Sequence, residues 1–323
     1  MRRLLGCLMV ATLLAGLGIA GRSFAGEMPY PTRQITYLVV FDPGGQSDVE
    51  ARRQQPLLEK ALGQKVIVTY KPGGGGALGW ADMVRGRPDG YVITGINLPQ
   101  ISILPLLQDV GFRTEQILPV TLFHRTPMLM VVRKDSPFKT VPEFIEAAKK
   151  NPGKIKMAAT GTNGLGHVAA MRIRKLAGIT TEYVPFTGNA PLMTALLGGH
   201  VDVAITVSSD AVAYQDRAIP LGIASEQRVD ILRDVPTLKE QGIDFSEASY
   251  RGVAVPVGTP EPIVRKLEKV FLDDVCKNPV YVETQKKGGY EPVAMGVEEA
   301  KALIAKGSAM YQGVFAEMGI LKK

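Results

Sequence analysis

Three glycine-rich loops contain the residues of this 323-residue chain that are best suited to bind a small molecule. They span residues 41–48, 71–79 and 158–167, and each follows an apolar run and precedes a segment of helical character. Glycine lets the backbone approach a ligand closely, and the free N–H groups at a helix start attract anions. The first and third loops therefore favour binding of a carboxylate, although an ordinary helix cap by Ser47 or Asp48 explains the first loop equally well.

The second loop also fits a different pattern, the G-x-G-x-x-G signature of dinucleotide-binding proteins, through Gly74, Gly76 and Gly79. A run of glycines makes a chance match easy, and the next strand ends at Asn97 where a ribose-binding acid is expected. An exported protein would also meet little free nucleotide. We therefore predict no cofactor and disfavour a Rossmann oxidoreductase.

Catalytic and metal-binding groups are scarce. The three histidines, His124, His167 and His200, lie outside any G-x-S-x-G or H-E-x-x-H motif. Cys276 lies in a helical pattern, where a buried and inert thiol is expected. No metal-ligand spacing is present. We predict no catalytic residue, no metal site and no enzymatic activity.

The N-terminus has the pattern of an export signal. Arg2 and Arg3 precede an uncharged apolar run, and Ser23-Phe24-Ala25 offers small residues at the two positions that a signal peptidase reads. A membrane anchor is the alternative, but the run is short and interrupted by glycines. We predict a signal peptide over residues 1–25, cleavage after Ala25, and a periplasmic location.

Net charge argues against a nucleic-acid partner. The formal charge is +7, and loss of Arg2, Arg3 and Arg22 with the signal leaves +4. No run of five or more basic residues and no basic-aromatic patch is present. A mild positive field of this kind helps an anion approach or simply aids solubility.

Hydrophobic patterning predicts alternating strands and helices, and hence an α/β fold with parallel sheets. Pro56 lies inside the first predicted helix and is expected to kink or divide it. The predicted strands are residues 35–41, 65–70, 91–96, 128–132, 155–159, 182–184, 201–205, 220–224 and 250–255. The predicted helices are residues 47–62, 77–85, 141–150, 166–177, 191–197, 262–276 and 297–318.

Short motifs at widely separated positions complete the pattern. They are Pro43-Gly44-Gly45 with Asp48, Lys71-Pro72-Gly73, Pro88-Asp89-Gly90-Tyr91, Thr126-Pro127, Pro152-Gly153-Lys154, the loop from Gly161 to His167, Gly198-Gly199-His200-Val201-Asp202, Asp234-Val235-Pro236-Thr237, and Gly252 through Pro260. In this order and spacing they resemble the solute receptors of tripartite tricarboxylate transporters, often called the Bug family. The resemblance covers essentially the whole chain after residue 25.

The resemblance implies a two-lobed clamshell of the periplasmic-binding-protein type (a Venus flytrap), with ligand in the cleft. Each lobe is expected to be a mostly parallel sheet flanked by helices. One lobe would comprise residues 26–125 and 252–323, and the other residues 126–251. Closure follows because contacts from both lobes exist together only in the closed state.

The resemblance also implies a function: capture of a small organic acid for membrane permease subunits, by a protein expected to be a monomer. A periplasmic sensor and an exported enzyme of the same fold are the alternatives. Three departures from the family, Gln46, Thr160 and Tyr250, bear on which acid is bound. The expected ligand-binding residues are Phe41, Gly45, Ser47, Asp48, Thr160, Gly161, Thr162 and Asn163 of the first and third loops, and Asn97, Ser208 and Tyr250 at strand ends.

Overall fold

A computed structural model describes residues 30–162 and 164–322. The predicted signal peptide and Asn163 lie outside these described residues. The strands are β1 (Ile35–Val39), β2 (Val66–Tyr70), β3 (Val92–Leu98), β4 (Ile117–Arg133), β5 (Lys156–Thr160), β6 (Glu182–Phe186), β7 (Val203–Val207), β8 (Ala218–Ile223), β9 (Ala248–Pro256) and β10 (Glu291–Met295). The helices are α1 (Gln46–Leu62), α2 (Ala77–Arg85), α3 (Gln100–Leu107), α4 (Val141–Lys150), α5 (Leu165–Ala177), α6 (Asn189–Leu197), α7 (Ser208–Ala213), α8 (Glu261–Val270), α9 (Pro279–Lys287) and α10 (Val297–Glu317).

One long strand, β4, belongs to two sheets. Up to Pro127 it pairs with β9 and β10, in a sheet of order β2-β1-β3-β9-β4. From Met128 onward it pairs with β7 and β8, and β7 continues through β5 to β6. The first glycine-rich loop connects β1 to α1, and the third connects β5 to α5. Each of these loops therefore lies between the C-terminal end of a strand and the start of a helix.

The α/β prediction is confirmed, but the sheets are mixed rather than mostly parallel. β1 runs parallel to β2 and β3, and β5 runs parallel to β6 and β7. All pairings of β4 and β9, with each other and with β3, β7, β8 and β10, are antiparallel. The predicted lobe boundaries, before residues 126 and 252, fall within β4 and β9 and stay a prediction.

Two expectations about individual elements need correction. α1 is continuous through Pro56 and is not divided there, and it keeps Leu58 and Leu62 buried, while a kink at Pro56 stays a prediction. β4 begins eleven residues before the predicted strand, at Ile117 instead of Met128. Its first half contains prolines and buried polar side chains, which hide the apolar pattern of a strand.

No helix in the described ranges is long and apolar enough to cross a bilayer. The core of the first sheet is built around Trp80 of α2, whose side chain is fully buried. Its Nε1 donates to the carbonyl oxygen of Gly95 at 2.9 Å, and its ring lies edge-on to Phe41 and Phe112. Trp80 therefore connects the hydrophobic core directly to the first glycine-rich loop.

Glu247 lies immediately before β9, between helices α5 and α10. Arg172 of α5 is 3.6 Å from its Oε2, and Tyr311 of α10 lines the same small cavity. Glu247 Oε2 is buried and accepts no hydrogen bond from the described residues. Burial raises the pKa of the Glu247 carboxyl to about 7, and Tyr311 and Arg172 only partly oppose this.

This raised pKa predicts a stability that falls as pH rises. The favourable contribution of Glu247 to the unfolding free energy is complete below the ordinary pKa of 4.5, and it is lost as pH rises through about 7. The Glu247→Gln variant stays neutral, so it should exceed the wild type in unfolding free energy at pH 8, by on the order of 3 kcal/mol, and match it near pH 5. Urea unfolding at both pH values measures this.

The matched control for that experiment is Glu317→Gln, which removes an exposed acid that pairs with Lys175 between the same two helices at 2.7 Å. It should change stability little at either pH. A Glu247→Gln protein that is less stable than the wild type at pH 8 would show that the contact with Arg172 outweighs the cost of burial.

Candidate functional site

The first loop holds the start of α1 in an unusual way. Gly45 is the N-cap residue with extended backbone (φ −74°, ψ 171°), and no side chain caps the helix. Gly44 has φ +80°, in the region that favours glycine. The Asp48 carboxylate, one turn into α1, reaches back and accepts a 2.7 Å hydrogen bond from the Gly44 N–H. The simple cap by Ser47 or Asp48 is therefore wrong: Asp48 holds the loop, and the first turn keeps its donors.

Asp48 is almost fully buried and its charge is compensated. Besides Gly44, it accepts a hydrogen bond from the Tyr70 hydroxyl at 2.8 Å and pairs with Arg52 Nε at 2.8 Å. Burial raises the pKa of the Asp48 carboxyl, but these hydrogen bonds and Arg52 outweigh it and leave the pKa below its usual value. Asp48 is thus ionised and supports the loop. Because Arg52 neutralises its charge, Asp48 presents no free negative charge to an anion.

Three other predicted residues lie in or beside this loop. Ser47 and Asn97 line one very small cavity, with a volume of about 10 Å³. Phe41 is partly buried, and its ring centroid lies 6.2 Å from that of Trp80 in an edge-to-face contact. The structure therefore brings together Ser47, Asp48 and Asn97, and it places Phe41 where the loop meets the core.

The third loop follows β5 and is held by its neighbour β6. Gly161 has φ +73°, and its N–H donates to the Phe186 carbonyl at 2.8 Å. Its carbonyl accepts a 2.6 Å hydrogen bond from the Tyr183 hydroxyl. Gly161 and Thr162 are exposed, Thr160 is partly buried, and Asn163 lies outside the described residues. As in the first loop, the helix start that follows has a glycine N-cap and no side-chain cap.

Tyr183 gives a test of this loop. The Tyr183→Phe variant loses only the hydroxyl that holds Gly161, so we expect organic-acid binding to weaken about three- to tenfold while the melting temperature changes by less than about 3 °C. Calorimetric titration and thermal unfolding measure the two effects. Tyr214→Phe, in the turn that follows α7, is the control. Equal affinities for both variants and the wild type would exclude a role for the Gly161 turn.

The remaining two predicted residues are engaged elsewhere. Ser208, at the start of α7, is fully buried, and its hydroxyl donates to the Gly289 carbonyl at 2.6 Å. Tyr250 is opposite Leu98 in the sheet register and packs on the same hydrophobic core as Trp80. The structure gives Ser208 a tertiary bond and Tyr250 a packing role, and their contact with ligand stays a prediction.

The second glycine-rich loop serves packing. A Cβ on Gly79 would lie 2.4 Å from Val40 Cγ1, and one on Gly76 would lie 2.7 Å from the Trp80 ring. These glycines let α2 pack closely against β1 and the core. Their spacing, which matches the dinucleotide signature, is explained by this close approach.

Two of the histidines pack against tyrosine rings. His124 is fully buried, and its ring stacks on Tyr290 with centroids 4.8 Å apart. His167 packs against the Tyr183 ring at 4.3 Å. Within residues 30–162 and 164–322, no group of three or more His, Cys, Asp or Glu side chains is placed to hold a metal ion.

The family model described as the tripartite tricarboxylate transporter family receptor, TctC, matches residues 50–320. The chain belongs to this family. A UPF0065 protein from the gbd 5' region of Cupriavidus necator is 31% identical over 316 residues, which cover 97% of the receptor chain and 96% of the relative.

Solved structures agree with this assignment. The TctC solute-binding protein from Polaromonas is 31% identical, with a TM-score of 0.80 over 89% of the receptor chain and 99% of its own. MatC from Rhodopseudomonas palustris, solved with bound malate, is 26% identical, with a TM-score of 0.72 over 88% and 99% of the two chains. The predicted family resemblance and the two-lobed α/β fold are confirmed.

Three residues beside the receptor's loops were not among the site residues predicted from sequence. Tyr70 ends β2 beside the first loop, and Tyr183 lies in β6 beside the third. Arg251 lines the same cavity as Ser47 and Asn97. Tyr70 could have been found as a polar aromatic at the end of a strand adjacent to β1, but nothing local marks Tyr183 or Arg251.

Proposed function

We propose that this receptor is a periplasmic solute-binding protein that captures a small organic acid in its cleft and presents it to membrane permease subunits. It performs no chemistry on the ligand. The binding residues are Asn97 and those of the first and third loops other than Asp48, and Asp48 and Tyr183 act as positioning residues. Family membership supports the transport role, and the two loops support the carboxylate.

The observation that carries this proposal is a set of donors left without partners at the start of α1. The first N–H groups of any helix have no acceptor within the helix, and no side chain caps this one. Gln46 adds an amide Nε2 that is buried and has no hydrogen-bond partner among the described residues. A carboxylate has several acceptor positions, and it would satisfy these donors at a helix end that favours negative charge.

Malate bound to MatC supports the ligand class, because that relative shares the receptor's fold over nearly its whole length. The compensation of Asp48 by Arg52 supports it as well. An uncompensated carboxylate in the loop would repel an anionic ligand, whereas the paired one does not. The ligand is therefore expected to be a small acid with one carboxylate on the α1 start.

A thermal-shift screen of the mature chain tests the proposal. Malate, succinate, citrate, benzoate and glutamate would each be compared with a neutral amide or ester of the same skeleton. An acid at a hundred times its dissociation constant adds about 2.7 kcal/mol, which is a shift of several degrees. The amide should give none. If no acid shifts the receptor, or if amides shift it equally, carboxylate capture is wrong.

Two further measurements address chemistry and export. The best acid should be recovered unchanged by NMR after prolonged incubation with the receptor; a converted product would make the protein an enzyme. Mass spectrometry of the receptor from a periplasmic extract should show a chain that starts at residue 26. A full-length chain in the membrane fraction would indicate an anchor instead.

A further inference from the structure

Helix α5 connects the third glycine-rich loop to the helix that packs on the first sheet. It begins at Leu165, within that loop, after strand β5 of the second sheet. One turn later, Val168 is fully buried against Tyr311 and Phe315 of α10. Nearer its start, α10 contributes Ala300 to the core of the first sheet. A movement of the third loop together with α5, relative to the first sheet, would therefore take place along the contact of α5 with α10.

The outer side of this contact is loosely packed. A surface groove with a volume of about 270 Å³ lies between the two helices, lined by Met171 and Leu176 of α5 and by Val314 and Met318 of α10. A smaller cavity of about 50 Å³ lies beside Tyr311. Methionine side chains are flexible and repack readily into spaces of changing shape. The two helices can therefore shift along each other without opening a large new void.

The polar contacts across the same interface are long or exposed. Arg172 of α5 lies 3.6 Å from Oε2 of Glu247, and its Nη1 lies 3.8 Å from Sδ of Met310 in α10. Lys175 and Glu317 form a shorter pair at 2.7 Å, but both side chains are exposed to water. Exposed ion pairs are weak, because water solvates the separated charges well. Contacts of these kinds resist sliding only weakly.

A second connection between the two sheets is tight. Ser208, at the start of α7, is fully buried, and its hydroxyl donates to the Gly289 carbonyl at 2.6 Å. A Cβ on Gly289 would lie 2.7 Å from Ser209 Cα, so the two backbones are in direct contact. The next residue, Tyr290, stacks on His124 of β4. Because α7 is held closely in this way, relative movement of the two sheets is easier at α5 than at α7.

We propose that α5 slides along α10 when the receptor binds its solute. Packed helices commonly accommodate domain closure by small sliding displacements, of about 1–2 Å at helix interfaces. Solute held at the third loop would displace the start of α5, and a rigid helix carries that displacement to Arg172 about two turns further on. The inference rests on the proposed function, because the third loop is taken as a binding element.

A reversible cross-link tests the sliding. Lys175→Cys with Glu317→Cys places two thiols where an ion pair joins α5 to α10. The control, Glu226→Cys with Lys239→Cys, replaces an ion pair at 2.8 Å whose two residues both lie between β8 and β9. Cys276→Ala in both variants removes the native buried thiol. Each mature chain would be unfolded, refolded without solute, and oxidised.

Affinity would then be measured by calorimetry, with the disulfide formed and after its reduction. The ligand is whichever of malate, succinate, citrate, benzoate and glutamate gives the largest thermal shift. We expect the disulfide between residues 175 and 317 to weaken binding at least about tenfold, reversibly, because it holds α5 in its solute-free position. The control disulfide should leave the affinity within about twofold. An equally small effect at 175 and 317 would overturn the proposal.

Spin labels on the same two pairs of cysteines give a measurement that needs no disulfide. Electron paramagnetic resonance should show that saturating acid changes the separation of the labels at residues 175 and 317, and leaves the control pair unchanged. Identical spectra with and without bound acid, or equal changes in both pairs, would contradict sliding and leave solute capture standing. Failure of every acid to bind would instead count against the proposed function.

Discussion

Replacing Asp48 with alanine is expected to weaken organic-acid binding at least about tenfold, the largest loss from any single change in the first loop. The substitution removes the acceptor of the Gly44 N–H and of the Tyr70 hydroxyl, and it leaves Arg52 without its partner. Without these contacts the Gly44 turn no longer fixes the N–H groups at the start of α1. Calorimetric titration with the best acid from the screen measures the loss.

Asp42→Ala is the matched control, because Asp42 is an exposed acid of the same loop whose side chain supports no backbone group in the described residues. It should leave the dissociation constant within about twofold. Asp48→Asn distinguishes charge from shape, since it can still accept one hydrogen bond but cannot pair with Arg52. Unchanged affinity in Asp48→Ala would remove the first loop from the binding site.

Trp80→Ala is expected to produce the largest loss of stability, about 3–5 kcal/mol of unfolding free energy. The side chain is fully buried, its Nε1 donates to Gly95, and its ring supports Phe41 and Phe112. Truncation leaves a large cavity under α2 and an unsatisfied carbonyl. Trp80 is the only tryptophan in the chain, so the measurement is urea unfolding followed by far-UV circular dichroism rather than by fluorescence.

Trp80→Phe separates the two contributions to that loss. The phenylalanine ring keeps most of the contacts with Phe41 but loses the hydrogen bond to Gly95. We therefore expect about half of the loss of unfolding free energy that Trp80→Ala causes. Because Phe41 belongs to the first loop, both variants should also weaken acid binding, alanine more than phenylalanine. A Trp80→Ala protein of wild-type stability would mean that the core under α2 collapses to fill the space.

Local pattern in the sequence predicted much of the fold. The helices at residues 77–85 and 141–150 have the predicted bounds, because their apolar faces and end signals lie within a few residues of one another. The first half of β4 was missed because Pro119 and Pro127 and several buried polar residues conceal it. These residues are tolerated in a strand only because β9 and β10 pair with it from distant parts of the chain.

Site prediction divides in the same way. Glycine-rich loops before helices are visible in sequence, so the positions of the first and third loops could be predicted, and their contact with ligand stays a prediction. The contacts of Ser208 and Tyr250 could not be predicted in this way. The partner of Ser208, for example, is the carbonyl of Gly289, which is 81 positions away. The support of Gly161 by Tyr183 could not be predicted either, because it depends on the pairing of β6, which contains Tyr183, with β5.

By itself the sequence determined the alternation of strands and helices, the glycine loops and the family. These features depend on backbone conformation and on the spacing of residues over short stretches, and both can be read from the local sequence pattern. Only the tertiary structure decided which charges are compensated: Asp48 by Arg52, and Glu50 by Arg53 with hydrogen bonds from Tyr281 and Gln285 of a distant helix. Strand order and register set those distances, and electrostatic free energy depends on distance and burial rather than on position along the chain.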